Sequence, residues 1–317
     1  MKIIHGVRQL QSIQSSILTV GNFDGVHLGH KALLKRLKDR AREKGVPSVV
    51  MTFEPHPVKV LYPDRKLHRV FNFEDQVTQM EDLGIDILVV EPFSREFSQL
   101  APERYITDWI FRPFTPETVV VGYDFSFGAN RQGSIEFLKS MSQSLGFRVE
   151  VIPPVKVDDV LVSSTRIRQA LEVGDVKLAK NLLGRPFYLR GLVVRGAGRG
   201  RTIGIPTANL HTDAETLPSM GVYAAWGILR GKKWKAAVNV GLNPTFTEAH
   251  GQPLSIEAHL IDTDDNFKGS DLYGEELKLE FVARLRDEKK FTSVQELIAQ
   301  IHRDIAEASN LLGNEPA

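Results

Sequence analysis

The first half of the chain alternates short, almost wholly apolar runs with longer segments whose apolar residues recur at helical spacing. Strands that are apolar throughout are typical of a parallel sheet, because helices cover both of its faces. The predicted strands are residues 16–20, 48–53, 85–90, 118–122 and 148–152, and the predicted helices are residues 31–43, 74–83, 102–111 and 135–145. This pattern predicts a doubly wound α/β fold.

The pattern changes near Gly184. Two short helices, 166–172 and 176–183, are followed by runs typical of antiparallel strands and by one amphipathic helix, 293–312. The predicted strands are residues 187–194, 221–229, 235–240, 255–261 and 276–284. Since 317 residues suffice for two domains, we predict an α/β domain over residues 1–185. A small antiparallel β-barrel with a terminal helix is predicted over residues 186–317.

The composition excludes several classes of protein. The chain has no cysteine, which rules out disulfides and thiolate chemistry and fits a reducing compartment. No run of about 18 apolar residues and no signal-peptide pattern occurs, so we expect a cytoplasmic protein without a membrane partner. A net charge of +1 gives no general attraction to nucleic acid. No protein partner is implied.

Residues 21–30, GNFDGVHLGH, lie where a predicted strand turns into a helix. Gly21, Gly25 and Gly29 let a ligand approach the backbone, and the helix start offers unpaired N–H groups to an anion. His27 and His30 share one face of the first turn and could donate hydrogen bonds to phosphate oxygens. The alternatives are a glycine-rich turn with capping histidines, or a metal pair, for which no third ligand is adjacent.

Three further segments belong with this loop. Residues 163–168, SSTRIR, open a predicted helix, where they could cap it or form a second phosphate clamp. Residues 53–57, FEPHP, and 121–128, VGYDFSFG, follow predicted strands, at the edge where doubly wound sheets bind ligands. Taken alone, each of the two is more often just a turn.

In this order, the four segments resemble the N-terminal FMN adenylyltransferase domain of prokaryotic bifunctional riboflavin kinase/FAD synthetases. The resemblance implies a Rossmann-like nucleotidylyltransferase fold, with His27, His30 and Arg168 as catalytic residues. It implies that ATP and its phosphates are bound by Gly21, Asn22, Phe23, Asp24, Gly29, Ser164 and Thr165. It implies that Asp124, Phe125 and Phe127 bind the flavin. The FMN phosphate can attack ATP without a general base, since it is already charged at neutral pH.

Residues 191–209 form a loop rich in glycine and arginine. It is neither a dinucleotide fingerprint nor a Walker A loop, because no helix and no Gly-Lys-Ser/Thr follow. Such a loop suits a triphosphate, and Thr207 and Asn209, which alternate with Ala208, could converge on Mg²⁺. The same residue types would also be typical of an RNA-binding loop or of a plain turn.

With residues 218–224, 239–246 and 255–260, this loop resembles the riboflavin kinase domain, a β-barrel. The resemblance implies that Thr207 and Asn209 hold Mg²⁺ with ATP, that Gly198, Arg201 and Gly204 contact ATP, and that Arg286 lines the flavin site. It implies that Glu257 is the base that deprotonates the riboflavin 5′-hydroxyl. Periodicity alone would make Glu257 a solvent-facing residue of an alternating strand.

We therefore predict phosphorylation of riboflavin by ATP to FMN, followed by adenylylation of FMN to FAD with release of pyrophosphate. The partners are riboflavin, FMN and ATP, and the cofactor is Mg²⁺. Two alternatives remain: a nucleotidylyltransferase with another acceptor, and a non-catalytic flavin- or nucleic-acid-binding protein.

Overall fold

The computed structural model describes residues 1–11, 13–65, 67–196, 200, 203–242, 254–263 and 272–313. Within those ranges, no helix is both long and apolar enough to cross a lipid bilayer. The chain divides into two compact units, Met1–Ser164 and Thr165–Ala317. This division groups residues 165–185 with the second unit, and the domain boundary at residue 185 stays a prediction.

The first unit contains a six-stranded sheet in the order β1-β4-β3-β2-β5-β6, and every neighbouring pair is parallel. The strands are β1 (Lys2–His5), β2 (Ser16–Val20), β3 (Ser48–Glu54), β4 (Ile87–Pro92), β5 (Pro116–Gly122) and β6 (Arg148–Ile152). The doubly wound sheet is confirmed, and the five predicted strands are β2 to β6. The strand β1, which lies at one edge, was not among the predicted strands.

Helices connect these strands and cover the sheet. They are α1 (Leu28–Lys44), α2 (Pro57–Leu61), α3 (Phe73–Asp82), α4 (Arg95–Ser98), α5 (Pro102–Arg104), α6 (Arg112–Phe114) and α7 (Ile135–Leu145). Between α5 and α6 the segment Tyr105–Phe111 is a π-helix. On α1, Leu33, Leu34 and Leu37 are buried against the sheet residues Ile17 and Val50. A second apolar cluster packs Leu18 and Phe114, so both faces of the sheet are covered, as predicted.

The order of the strands determines where a ligand can bind. From β2 the chain proceeds through β3 and β4 on one side and then crosses to β5 on the other. In doubly wound sheets, the crevice lies at the carboxyl ends of the two strands where this reversal occurs. Here those strands are β2 and β5, which are followed by residues 21–30 and 123–128.

The second unit is a closed antiparallel barrel in the order β10-β13-β12-β11-β14-β9, preceded by two helices and followed by one. The helices are α8 (Ser164–Glu172), which starts at the last residue of the first unit, α9 (Val176–Leu183) and α10 (Val294–Gly313). The barrel strands are β9 (Phe187–Val194), β10 (Ala208–His211), β11 (Gly221–Leu229), β12 (Lys232–Leu242), β13 (Leu254–Leu260) and β14 (Glu276–Arg286). A separate hairpin consists of β7 (Lys156–Val157) and β8 (Val160–Leu161). The predicted barrel is confirmed, and β10, β7 and β8 are additional.

Alternation along the barrel strands separates its interior from its outer face. Tyr223 contacts Phe281 inside the barrel, with ring centroids 5.4 Å apart. On the outer face, Ala224 and Trp226 of β11 are buried against Ala308 of α10. This helix covers the side of the barrel formed by β11, β12 and β14.

Candidate active sites

The loop after β2 has a strained backbone. Phe23, Gly25 and Val26 have φ angles of 50°, 81° and 39°, in the left-handed region that a β-branched residue such as Val26 rarely adopts. Asp24 fixes the loop, because its Oδ1 accepts a hydrogen bond of 2.9 Å from the Val70 amide. Backbone strain of this kind persists only where the surrounding contacts hold the conformation in place. It is found most often at ligand-binding sites.

The two histidines of this loop form one unit. His27 caps α1, since its Nδ1 accepts a hydrogen bond of 3.3 Å from the His30 amide. The two rings stack with centroids 3.6 Å apart and planes inclined by 13°, and Phe23 meets the His30 ring edge-on at 5.3 Å. Only 6% of His27 is exposed. The capping and the stacking both hold the rings at the start of the helix.

The glycines of the loop leave room for these rings. A Cβ on Gly29 would lie 3.2 Å from Cε1 and Nδ1 of His27, and a Cβ on Gly21 would lie 3.2 Å from the ring of Phe23. Both distances are tighter than ordinary contacts. Glycine at position 29 therefore suits the loop, because the His27 imidazole lies against the backbone of Gly29.

The start of α1 is suited to an anion. The helix has 17 residues and no acidic residue in its first turn, so its first amides and positive dipole end meet no carboxylate of that turn. Exposed Asn22 lies in the same loop, and its carbonyl accepts a hydrogen bond of 3.0 Å from the Gln76 side chain. The predicted phosphate residues before and within α1 thus belong to one ordered loop.

Helix α8 begins with the second predicted phosphate cluster. The Ser164 hydroxyl donates a hydrogen bond of 2.8 Å to the carbonyl of Asp24, so it lies against the histidine loop. Arg168 donates to the Thr165 hydroxyl over 3.4 Å. Ser164 is assigned to the first compact unit, whereas Thr165 and Arg168 are assigned to the second.

The loop after β5 carries the predicted flavin residues. Asp124 is exposed and Phe125 is half-buried, whereas Phe127 belongs to the apolar core of the unit, with its ring 5.2 Å from that of Tyr105. Partial burial, and then the Asp124 carboxylate, raise the pKa of Tyr123. Asp124 and Phe125 are the accessible members of the predicted set.

The segment after β3 forms local structural contacts. Glu54 is paired with the guanidinium of Arg69, which is buried. His56 caps α2, since its Nδ1 accepts a hydrogen bond of 3.2 Å from the Val58 amide. These contacts are those of an ordered turn, one of the two interpretations that the sequence left open.

The barrel brings together the residues of the second predicted site. Thr207 Oγ1 lies 3.4 Å from Glu257 Oε2, although 50 residues separate them in the chain. Asn209 is the direct pairing partner of Glu257 between β10 and β13. All three side chains are half-buried on the outer face, whereas Ile256 and Ala258 are buried inside. Glu257 is thus on the outward face, as its periodicity predicts, and beside the two proposed metal ligands.

The register also places a residue in this row to which the sequence analysis gave no role. Asn239 of β12 pairs with Glu257 from the side opposite Asn209. A Cβ on Gly241 would lie 3.1 Å from Asn239 Nδ2 and 2.0 Å from Glu288 Oε1, so the Glu288 carboxylate lies against the backbone of Gly241. The signal in the sequence was the Asn-Val-Gly motif at 239–241, which gives the residue types but not their partner across the sheet.

Glycines of the loop before β10 make room for its side chains. A Cβ on Gly196 would lie 2.3 Å from Asn209 Nδ2, and one on Gly200 would lie 2.3 Å from the carbonyl oxygen of Ile205. Gly204 has a φ of 78°, which favours glycine. Gly198 and Arg201, which the sequence also assigns to ATP binding, lie outside the described residues.

Arg286, assigned to the flavin by resemblance, is engaged with the last helix. Its Nε and Nη2 donate to the Asp304 carboxylate of α10 at 3.0 and 2.7 Å. Asp304 is only 4% exposed, and Gln300 donates to it as well. The bidentate pair fixes the end of β14 to α10. A contact of Arg286 with flavin stays a prediction.

The donor set near Glu257 fits a magnesium ion that is shared with a nucleotide. Thr207 and Asn209 offer neutral oxygens, and no group of three or more His, Cys, Asp or Glu side chains suited to a metal occurs among the described residues. Mg²⁺ usually keeps few protein ligands and completes its shell with phosphates and water. A magnesium ion at this site would therefore need the phosphates of a nucleotide to complete its coordination.

Comparisons with known proteins match one family to each half of the chain. The family described as FAD synthetase matches residues 9–166, and the family described as riboflavin kinase matches residues 183–312. A bifunctional riboflavin kinase/FMN adenylyltransferase of Bacillus subtilis (strain 168) is 36% identical, over 99% of this chain and 99% of that protein. The protein of the same description from Escherichia coli (strain K12) is 35% identical, over 99% and 98%. A crystal structure described as a macrolide-efflux protein from Streptococcus pneumoniae matches with a TM-score of 0.88 at 33% identity, over 98% and 99%.

Proposed function

The chain belongs to the family of bifunctional riboflavin kinase/FMN adenylyltransferases, and we propose that each of its two reactions uses one of the two sites described above. The enzyme phosphorylates riboflavin with ATP and adenylylates FMN to FAD. We assign adenylylation to residues 1–185 and phosphorylation to residues 186–317. The observation that carries this assignment is the proximity of Thr207 and Glu257 in the barrel, far along the chain from the histidine loop.

In the kinase site Glu257 is the general base. A primary hydroxyl such as the 5′-hydroxyl of riboflavin is a weak nucleophile and requires a positioned acceptor for its proton. Glu257 is half-buried on the outer face of β13, and the neighbouring Asn239 and Asn209 on its two partner strands can orient its carboxylate and the substrate. Glu257 takes the proton as the hydroxyl oxygen bonds to the γ-phosphorus of ATP, while the bond from that phosphorus to the bridging oxygen breaks and ADP leaves.

Thr207 and Asn209 are the proposed ligands of Mg²⁺ in this site. Their oxygens are neutral, which suits an ion whose charge is balanced by ATP phosphates. When bound, Mg²⁺ neutralises the charge that develops on the transferred phosphoryl group. Gly198, Arg201 and Gly204 of the preceding loop are proposed to contact the phosphates through amides and a guanidinium.

In the adenylyltransferase site, catalysis requires positioning and charge neutralisation. An FMN phosphate oxygen attacks the α-phosphorus of ATP, and pyrophosphate leaves, without a base. His27 and His30, stacked at the start of α1, donate hydrogen bonds to the phosphates together with the helix amides. We propose that Ser164, Thr165 and Arg168 complete the nucleotide site.

The flavin of the adenylyltransferase is proposed to contact Asp124 and Phe125, which are accessible after β5. Phe127 is buried behind them and would support the ring of Phe125, whose centroid is 5.4 Å away. We also propose a cytoplasmic location, which the absence of cysteine supports.

The test is a time course with riboflavin, ATP and Mg²⁺, in which the flavins are separated by chromatography. We expect FMN to appear first and FAD second. A parallel reaction contains FMN in place of riboflavin. If FAD formed from the supplied FMN while riboflavin was not turned over, Glu257 would be excluded as the base. FMN as the final product, with no FAD, would make the histidine loop inactive or specific for another acceptor.

A further inference from the structure

The segment that enters β10 is held by side chains where backbone pairing stops. Pairing between β10 and β13 covers Ala208 with Ala258 and Asn209 with Glu257. Pro206 lies before this ladder and has no N–H with which to extend it. The segment therefore needs other contacts to fix the direction in which Thr207 projects.

Residue 259 provides one such contact. His259 Nδ1 lies 2.8 Å from the carbonyl oxygen of Pro206. Because a carbonyl oxygen only accepts, Nδ1 must carry the proton, and it can do so in both the neutral and the charged imidazole.

Two alternate residues of β13 thus reach two successive residues of the incoming segment. His259 binds the Pro206 carbonyl, and Glu257 lies 3.4 Å from the Thr207 hydroxyl. On the other side the segment is anchored by Ile205, which is 4% exposed and whose amide donates to the Gly200 carbonyl at 2.8 Å. Between these anchors Thr207 has little freedom to turn away from Glu257.

We propose that His259 is a positioning residue of the kinase site, which holds the Pro206-Thr207 backbone so that the Thr207 hydroxyl faces Glu257. It does not touch the reacting atoms. The inference rests on the proposed roles of Thr207 and Glu257 in phosphorylation. Its structural part, that one imidazole fixes the entry to β10, is independent of those roles and can be tested separately.

The experiment compares His259→Leu, which removes the donor, with His259→Asn, whose amide nitrogen can take the place of Nδ1. His211→Leu is the matched control, because His211 is an exposed outward residue of β10. Hydrogen–deuterium exchange is measured on the full chain, and both flavin reactions are followed. In His259→Leu we expect exchange to rise in the peptide covering residues 203–209 and not in β11 or β14.

In the same variant we expect kcat for FMN formation to fall about tenfold, since small misplacements of positioned groups are costly. The rate of FAD formation from FMN should not change. His259→Asn should restore both the exchange and kcat, and His211→Leu should resemble the wild type.

Wild-type exchange at residues 203–209 in His259→Leu would overturn the proposal. Faster exchange throughout the barrel would also overturn it, because His259 would then contribute only general stability. Faster local exchange with an unchanged kcat would show that the contact does not serve the reaction. If wild-type enzyme did not turn over riboflavin, the proposed function would fail, while the exchange data would still decide whether His259 fixes the segment.

Discussion

The imidazole rings of His27 and His30 lie face to face, with their centroids 3.6 Å apart. The stack stands at the first turn of α1, where His27 also caps the helix. The position of each ring therefore depends on the other, and both rings lie at the helix start, where backbone amides can meet an anion. This relationship is the basis of the first two predictions.

Replacing His30 by alanine should block the second reaction and spare the first. Loss of one preorganised donor to a transition-state charge costs on the order of 10²–10³ in rate. With riboflavin and ATP, the His30→Ala variant should therefore accumulate FMN, as measured by chromatography. His5→Ala, in an exposed residue at the end of β1, is the control. FAD synthesis close to the wild-type rate would contradict the phosphate role of His30.

Gly29→Ala should disturb His27 without destabilising the fold. The new Cβ would lie 3.2 Å from the His27 ring, which must shift by a few tenths of an ångström. We expect FAD formation to fall about tenfold. Alanine favours the helix over glycine by up to about 1 kcal/mol, so the free energy of unfolding should stay equal or rise. An active variant of wild-type stability would show that the close contact is unimportant.

Glu257→Gln should abolish conversion of riboflavin to FMN and leave conversion of supplied FMN to FAD intact. Removal of a general base lowers the rate by about 10²–10⁴, while glutamine keeps the size of the side chain. Glu276→Gln is the control, since Glu276 is exposed on β14. Loss of both reactions in the Glu257 variant would refute separate sites.

The hydroxyl of Thr207 should set the magnesium requirement of the kinase reaction. Thr207→Val keeps the shape and removes the oxygen, whereas Thr207→Ser keeps the oxygen. We expect the valine variant to need at least about tenfold more Mg²⁺ for half-maximal FMN formation, and the serine variant to resemble the wild type. Riboflavin phosphorylation is measured against Mg²⁺ concentration. An unchanged requirement in the valine variant would remove Thr207 as a ligand.

Glu91 should make the stability of the first unit depend on pH. Burial raises the pKa of this carboxyl, against smaller opposing effects of the Val7 amide and Arg8. The folded state therefore binds more protons just above the ordinary pKa of 4.5, and the free energy of unfolding falls as pH rises through this range. Glu91→Gln keeps an acceptor for Val7 and removes the titration.

Urea unfolding of the wild type and of Glu91→Gln between pH 4 and 7 tests this prediction. The glutamine variant should gain stability relative to the wild type as pH increases. A difference that stayed constant over this range, or that favoured the wild type at higher pH, would show that the ionised carboxylate is accommodated without cost.

The sequence predicted the central strands and the long helices because their signals are local. β2 and β5 are apolar throughout, and α1 has its leucines on one face. The strand β1 was missed because four residues give too short a pattern, and it pairs on one side only, with β4. Residues 102–111 were predicted as one helix, since the apolar spacing does not distinguish π-helical from α-helical hydrogen bonding.

The contiguous motifs of the candidate sites could be predicted from the sequence, whereas the contacts between distant residues could not. Motifs such as residues 21–30 are contiguous, so their residue types and spacing were visible. The position of Asn239 beside Glu257 depends on strand order and register, which no local pattern encodes. The contact of His259 with Pro206 likewise joins residues that are 53 positions apart.

The edge strand β1 has a consequence for synthesis of the protein on the ribosome. Among the described strands, Lys2–His5 pairs with β4 alone, along Ile87–Val90, so this strand has no partner until β4 has emerged. At roughly 5–20 residues per second, this delay lasts several seconds. During that time the nascent segment must stay unpaired, and this edge of the sheet can form only once β4 has emerged.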